Sequence, residues 1–183
     1  MTYNINSAVG EARQPANFNA AMRVSDVNAV TILVGTMTGT AEIVAQDVCD
    51  AIAATGRAAE ILPMDDLDPS VFERPGVFLF CSSTYGQGDV PDNAMKFYEA
   101  VGQQSPSLGH VRYGVFALGD RTYADTFCHG GKRFDELMTR LGATRLGEVM
   151  RHDASAGTVP EVVAVEWVRS WLDVLGTAEA KAA

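Results

Sequence analysis

The chain has 183 residues, 47% hydrophobic and 20% charged, with a formal net charge of −9. These values suit one globular domain with a full-sized core. They disfavour a nucleic-acid partner, which needs a basic face, and leave the acidity either to meet a basic protein surface or to serve solubility.

In chain order, residues 1–27 differ from the rest: rich in Asn, Ala and Ser, with Pro15 and no sustained period. They read as a flexible or surface-draped extension. Val30–Gly35 is an apolar run, the first strand. A helix follows from about Thr40 to Thr55, with Ala41, Val44, Val48, Ala51 and Ile52 on one stripe and Gly56 beyond its end. Ala58–Leu62 reads as a second strand, and Asp65–Pro69 as a turn or short helical start. Val77–Ser82 is apolar on both faces, as a central parallel strand is.

A second helix carries Ala94, Phe97, Tyr98 and Val101 at helical spacing. Tyr113–Leu118 is a fourth strand, and Phe134, Leu137, Met138 and Leu141 mark a helix that stops at Gly142. A weaker fifth strand covers Thr144–Val149, and a last helix Pro160–Leu175, leaving 177–183 as a tail. Strands alternating with helices predict an open parallel sheet covered on both faces.

No stretch is long and apolar enough to span a membrane. The N-terminus has no basic segment followed by an apolar run, so no secretory signal is expected. Cys49, Cys81 and Cys128 are odd in number, lack metal spacing and sit among apolar neighbours. They read as small buried side chains in a reduced, cytoplasmic setting.

Three loops carry the chemistry. In open α/β sheets, ligands bind beyond the carboxyl ends of the strands. After the first strand comes Thr36-Met37-Thr38-Gly39-Thr40-Ala41, a hydroxyl-rich turn into a helix. The unpaired N–H groups of a helix start, its dipole and three hydroxyls suit a phosphate, and Gly39 lets the backbone come close. The loop has no lysine or arginine, so it is neither a Walker loop nor a dinucleotide fingerprint. The plainer alternative is a strand-to-helix turn capped by Thr38.

After the third strand comes Ser82-Ser83-Thr84-Tyr85-Gly86-Gln87-Gly88-Asp89-Val90-Pro91-Asp92-Asn93, and after the fourth Gly119-Asp120-Arg121-Thr122-Tyr123-Ala124-Asp125-Thr126-Phe127-Cys128. Two tyrosines on neighbouring loops, beside a phosphate loop, can sandwich a planar ring system.

Together, Thr36–Ala41, Ser83–Asp89 with Pro91-Asp92-Asn93, and Leu118–Tyr123 resemble flavodoxins. The likeness is nearer to the FMN domains of diflavin reductases (cytochrome P450 reductase, sulfite reductase flavoprotein) and to free-standing MioC-type flavodoxins. It covers about Val30 to Leu175, within a domain placed at residues 28–176. It implies a flavodoxin-like three-layer α/β/α fold with a five-stranded parallel sheet in the order 2-1-3-4-5, of the short-chain type.

The resemblance also implies FMN. Thr36, Met37, Thr38, Gly39, Thr40 and Ala41 would surround its phosphate. Tyr85 and Tyr123 would flank the ring system. Backbone groups of Thr84, Gly86, Gly88, Leu118, Gly119 and Asp120 would meet its polar edge, with Ser83, Gln87, Phe127 and Cys128 also in the cofactor site. One spacing departs from many relatives: Phe127 lies four residues after Tyr123 rather than three.

The implied function is electron transfer from a separate, basic-faced NAD(P)H-linked flavoprotein reductase to an acceptor protein, by a monomer that is a carrier and not an enzyme. Asp89, Asp92, Asp120 and Asp125 in the ring loops, against one cation, Arg121, imply a low-potential couple. Gly86 is the expected switch, since a glycine peptide can turn over on reduction. The alternatives are an NAD(P)H-quinone reductase of the same fold, the FMN module of a larger diflavin reductase, or a docking module without flavin. A receiver domain needs an acidic pair where this chain has Gly35-Thr36, and an aspartate where it has Cys81-Ser82. His129 and His152 read as surface residues and His110 as a loop cap. No acid/base, triad or metal arrangement emerges from them.

Overall fold

The computed structural model describes residues 28–182. The expected N-terminal extension, residues 1–27, lies outside the described residues. Six parallel strands are present among them: β1 (Val30–Gly35), β2 (Ala59–Pro63), β3 (Val77–Ser82), β4 (Arg112–Gly119), β5 (Thr144–Arg145) and β6 (Met150–Asp153). Their order is β2-β1-β3-β4, with β5 and β6 both paired to the far edge of β4. That is the expected 2-1-3-4-5 order with its fifth place shared by two short strands.

Helices α1 (Thr40–Ala53) and α4 (Pro160–Ala182) pack together on one face of the sheet, and α2 (Asp92–Gln104) and α3 (His129–Arg140) cover the other. β1 and β3 are buried along their whole length. Because side chains alternate along a strand, Leu33 and Phe80 face α2 and α3, while Ile32, Val34 and Leu79 face α1 and α4. The α2/α3 face is aromatic: Phe80 stacks on Phe134 with ring centres 5.1 Å apart.

The fifth strand breaks for a packing reason. Gly114 of β4 has no Cβ, and one built there would sit 2.5 Å from the Trp171 indole nitrogen. The indole therefore reaches over β4 and donates from Nε1 to the Leu146 carbonyl at 3.0 Å, in the gap between β5 and β6. Gly147 turns the chain there with φ +71°.

α4 runs on past Leu175 to Ala182, through the stretch expected as a tail. A two-pronged bond from Arg57 Nη1 and Nη2 to the Glu179 carboxylate, at 3.0 and 2.9 Å, fastens that last part to the turn before β2.

Candidate functional site

The aligned strand ends (Gly35 beside Ser82, Ser82 beside Ala117, Leu118 beside His152) deliver the loops to one edge of the sheet. Between the loops lies a cleft of about 550 Å³.

At one end is the loop after β1. Thr36 is buried and tied from both sides: its N–H donates to Asn93 Oδ1 at 2.8 Å, and its Oγ1 accepts from the Gly39 N–H at 3.0 Å. Asn93, in the first turn of α2, also donates from Nδ2 to the Val34 carbonyl and to Asp65 Oδ2. Gly39 is the residue preceding α1, with φ 88°, and no side chain caps the helix, so Thr38 is not its cap. Among the described residues no acceptor takes the N–H of Thr38 or Thr40, and both residues line the cleft. Met37 is exposed and its Sδ accepts from the Asp92 N–H; Ala41 is packed in the core, where its carbonyl accepts from the Cys81 thiol.

The loop after β3 is a tight reversal. Tyr85 and Asp89 pair across it, with N–H to carbonyl bonds of 3.0 Å and 2.8 Å. Gly86 and Gly88 turn it with φ 53° and 92°. Arg133 of α3 holds it from below, donating from Nε to the Gly88 carbonyl at 2.7 Å and pairing with Asp89 at 3.1 Å. Arg133 is thus a second cation at the ring loops beside Arg121; nothing local in the sequence marks it. Thr84 joins three elements: its hydroxyl donates to the Leu118 carbonyl at 3.0 Å and accepts from the Gly130 N–H at 3.1 Å. Ser83, Thr84, Tyr85 and Gly86 line the cleft, whereas Gln87 points to solvent and Gly88 is buried outside it.

The loop after β4 folds as two short turns meeting at Tyr123, whose φ of −104° and ψ of 65° are not helical. Phe127 follows this kink, and Cys128 after it lies in the left-handed region at φ 58°. Asp120 Oδ1 accepts from the Thr122 N–H and hydroxyl. Asp153, at the end of β6, accepts from the Arg121 N–H at 3.0 Å and from Ser155. The Arg121 N–H, then the Ser155 hydroxyl, hold the Asp153 carboxyl below the usual carboxylate range. Leu118, Gly119, Asp120 and Tyr123 line the cleft. Phe127 and Cys128 do not: Phe127 packs under Arg121, 5.0 Å from its guanidinium carbon, and Cys128 is buried. Burial pushes the Cys128 and Cys81 thiols up to about 12, so neither is a nucleophile at neutral pH.

Tyr85 and Tyr123 are 49% and 70% exposed, large aromatic faces left open at the cleft rim. The fourth wall was not foreseen. Thr126, His152, Ala154, Thr158 and Pro160 also line the cleft. His152, expected at the surface, is only 3% exposed. It sits on the inner face of a strand too short to show alternation, so its sequence offered no burial signal. Among the described residues, no cluster of His, Cys, Asp and Glu could hold a metal, and no helix is long and apolar enough to cross a membrane.

The residues present fit FMN. An open helix start with free N–H groups suits the phosphate, and two bare tyrosines suit a flat ring system.

Comparison with known proteins agrees with this geometry. A family model described as flavodoxin matches residues 32–167. The Escherichia coli protein MioC is 36% identical over 149 residues, 80% of this chain and 97% of that protein. The sulfite reductase [NADPH] flavoprotein alpha-component of Bacillus subtilis is 33% identical over 150 residues, 81% of this chain and 24% of that protein. A solved cysteine-to-alanine mutant of flavodoxin from Pseudomonas aeruginosa is similar in fold with a TM-score of 0.73 and 37% identity, over 81% of this chain and 99% of that one.

Proposed function

The chain belongs to the flavodoxin family, FMN-binding electron carriers rather than enzymes, and we propose that it takes electrons from a separate NAD(P)H-linked flavoprotein reductase and passes them to an acceptor protein. When bound, FMN supplies the redox chemistry; the chain binds it, orients it and sets its surroundings. Thr38 and Thr40 would hold the phosphate at the α1 start, and Tyr85 and Tyr123 would flank the ring system.

The observation that carries this reading is the pair of exposed tyrosines facing one cleft whose other end is an uncapped helix start. The likeness to one segment of an NADPH-linked sulfite reductase flavoprotein supports a reductase as the donor. The net charge of −9, with Asp89, Asp92, Asp120 and Asp125 around the ring loops, supports partners with basic faces.

The test uses the purified chain under anaerobic conditions. It is expected to carry FMN, to stay oxidised with NADPH alone, and to be reduced once a flavin-containing NADPH reductase is added. That rate is expected to fall as salt rises. Rapid NADPH oxidation by the chain alone with a quinone would establish the quinone reductase instead. A protein that takes up no flavin would leave only a docking module.

A further inference from the structure

We propose that Arg133 is a positioning residue for the ring end of the cleft. From α3 it fixes the closing half of the loop after β3, so that Tyr85 and the Gly86–Gln87 peptide meet the ring system in one arrangement. The proposal rests on the FMN reading above.

The loop's own bonds close only its neck. The Tyr85 carbonyl accepts from the Gly88 and Asp89 N–H groups at 3.1 and 2.8 Å, and the Asp89 carbonyl accepts from the Tyr85 N–H at 3.0 Å. The tip is left over: among the described residues, no partner takes the N–H or carbonyl of Gly86 or Gln87. Tyr85 and Gly86 line the cleft, whereas Gly88 lies outside it. A short loop turned by two glycines at positive φ, with an unbonded tip, has several arrangements open to it unless something outside holds it.

That hold comes from the α3 side. The Gly130 N–H donates to the Thr84 hydroxyl at 3.1 Å, just before the loop. Gly88 is pressed so close that a Cβ there would stand 2.9 Å from His129 Nδ1 and 3.2 Å from Thr126 Cβ. Arg133, further along α3, donates from Nε to the Gly88 carbonyl at 2.7 Å and pairs through Nη2 with Asp89 Oδ1 at 3.1 Å. One planar guanidinium thus takes a backbone and a side-chain acceptor on adjacent residues. An ammonium lacks that fixed two-point geometry. The other Asp89 oxygen, Oδ2, lies 3.7 Å from where a Gly86 Cβ would stand. Arg133 therefore also keeps this carboxylate from turning to the free N–H groups of the tip.

The anchored residue, Gly88, is outside the cleft, so the loop is ordered without filling the space that a ring system needs. A loop ordered beforehand loses less freedom on binding, which favours any ligand that it faces. Reduction adds charge and a proton to the ring system, so well-placed N–H and carbonyl groups matter more to the reduced ring than to the oxidised one.

The test compares Arg133→Ala, which removes the hold, with Arg133→Lys, which keeps the charge without the fork. The Arg133 and Asp89 side chains are 41% and 44% exposed, so both variants are expected to fold. Three quantities are measured on the full chain: amide hydrogen exchange of Gly88 and Asp89 without flavin, dissociation constants for FMN and riboflavin from flavin fluorescence, and the reduction potential of bound FMN.

In the Ala variant, exchange at both amides is expected to be about fivefold faster, and FMN and riboflavin each about fivefold weaker. The potential is expected to become more negative, a readout that a merely stabilising contact would not move. The Lys variant is expected to lie nearer to Ala than to wild type in all three. A Lys variant nearer to wild type makes Arg133 a charge and not a positioner, and overturns the proposal. So does an Ala variant with unchanged exchange, an unchanged potential, unchanged affinities or a loss confined to FMN, and each of these leaves the FMN reading standing. A wild-type chain that takes up no flavin overturns both.

Discussion

At the Thr36–Ala41 end of the cleft the loop is held by neutral hydrogen bonds, while at the Tyr85 and Tyr123 end it is held by charges near solvent. Thr36 is buried and bonded through its own amide and hydroxyl, with Asn93 as the clamp. The ring loops lean on Arg133 with Asp89, both side chains over 40% exposed, and on Arg121 with Asp153. Because the bonds that reach the loop itself are neutral, the helix start is left to supply the attraction for an anion, and those bonds depend little on salt. The charged end keeps aromatic faces and carboxylates outward, where a partner protein can reach them. Under the proposed function, rigid capture and accessible exchange would fall to different loops of one fold.

Breaking the clamp tests that division most severely. Asn93→Ala leaves the Thr36 N–H without its partner, a loss of about 1–3 kcal/mol where the group stays buried. Because the damage is at the phosphate end, FMN affinity is expected to drop by tenfold or more while riboflavin affinity barely changes. Equal losses for both flavins would mean that Asn93 shapes the whole cleft and that the two ends are not separate.

Tyr123→Ala probes the other end with a smaller effect. An aromatic stacking partner is worth about 0.5–1.5 kcal/mol beyond its buried area. FMN and riboflavin share the ring, so titration of the variant is expected to show both weakened by the same factor. A loss confined to FMN would place Tyr123 in the phosphate site and erase the contrast.

The same contrast governs what could be read from the sequence. Val30–Gly35 and Val77–Ser82 announce themselves because a fully buried parallel strand needs an unbroken apolar run. The three loops were legible because glycines, threonines and tyrosines sit at strand ends. Contacts that join distant elements were not. Asn93 to Thr36 spans 57 residues and Arg133 to Gly88 spans 45, and no local pattern encodes either. The break between β5 and β6 depends on Trp171 meeting Gly114, again a long-range match. The Thr84 hydroxyl ties Leu118, 34 residues away, to Gly130, 46 residues away, and that link has no local signature either. His152, which reads as a surface residue in the sequence, is turned inward by the alternation of a four-residue strand.

The smallest effect expected is acid-induced and confined to the ring end. Asp153 joins the loop after β4 to the end of β6 by accepting from the Arg121 N–H and from the Ser155 hydroxyl and N–H, and the Arg121 bond, then the Ser155 hydroxyl, hold its carboxyl below the usual range. A carboxylate with a depressed value in the folded chain stabilises it fully above the ordinary aspartate value of about 3.9. That contribution is lost as pH falls through the lower folded value. Between pH 5 and 7 the link is therefore constant, and below about pH 4 it fades. The Arg121 and Ser155 amide signals are expected to shift together with an inflection below about 3.9, and Asp153→Asn is expected to remove that inflection. The Thr36 amide, whose acceptor is the neutral Asn93 side chain, is expected not to follow them. An Arg121 inflection at or above the ordinary value would show that Asp153 gains nothing from these bonds. A Thr36 amide moving in step would show that the two ends of the cleft respond as one.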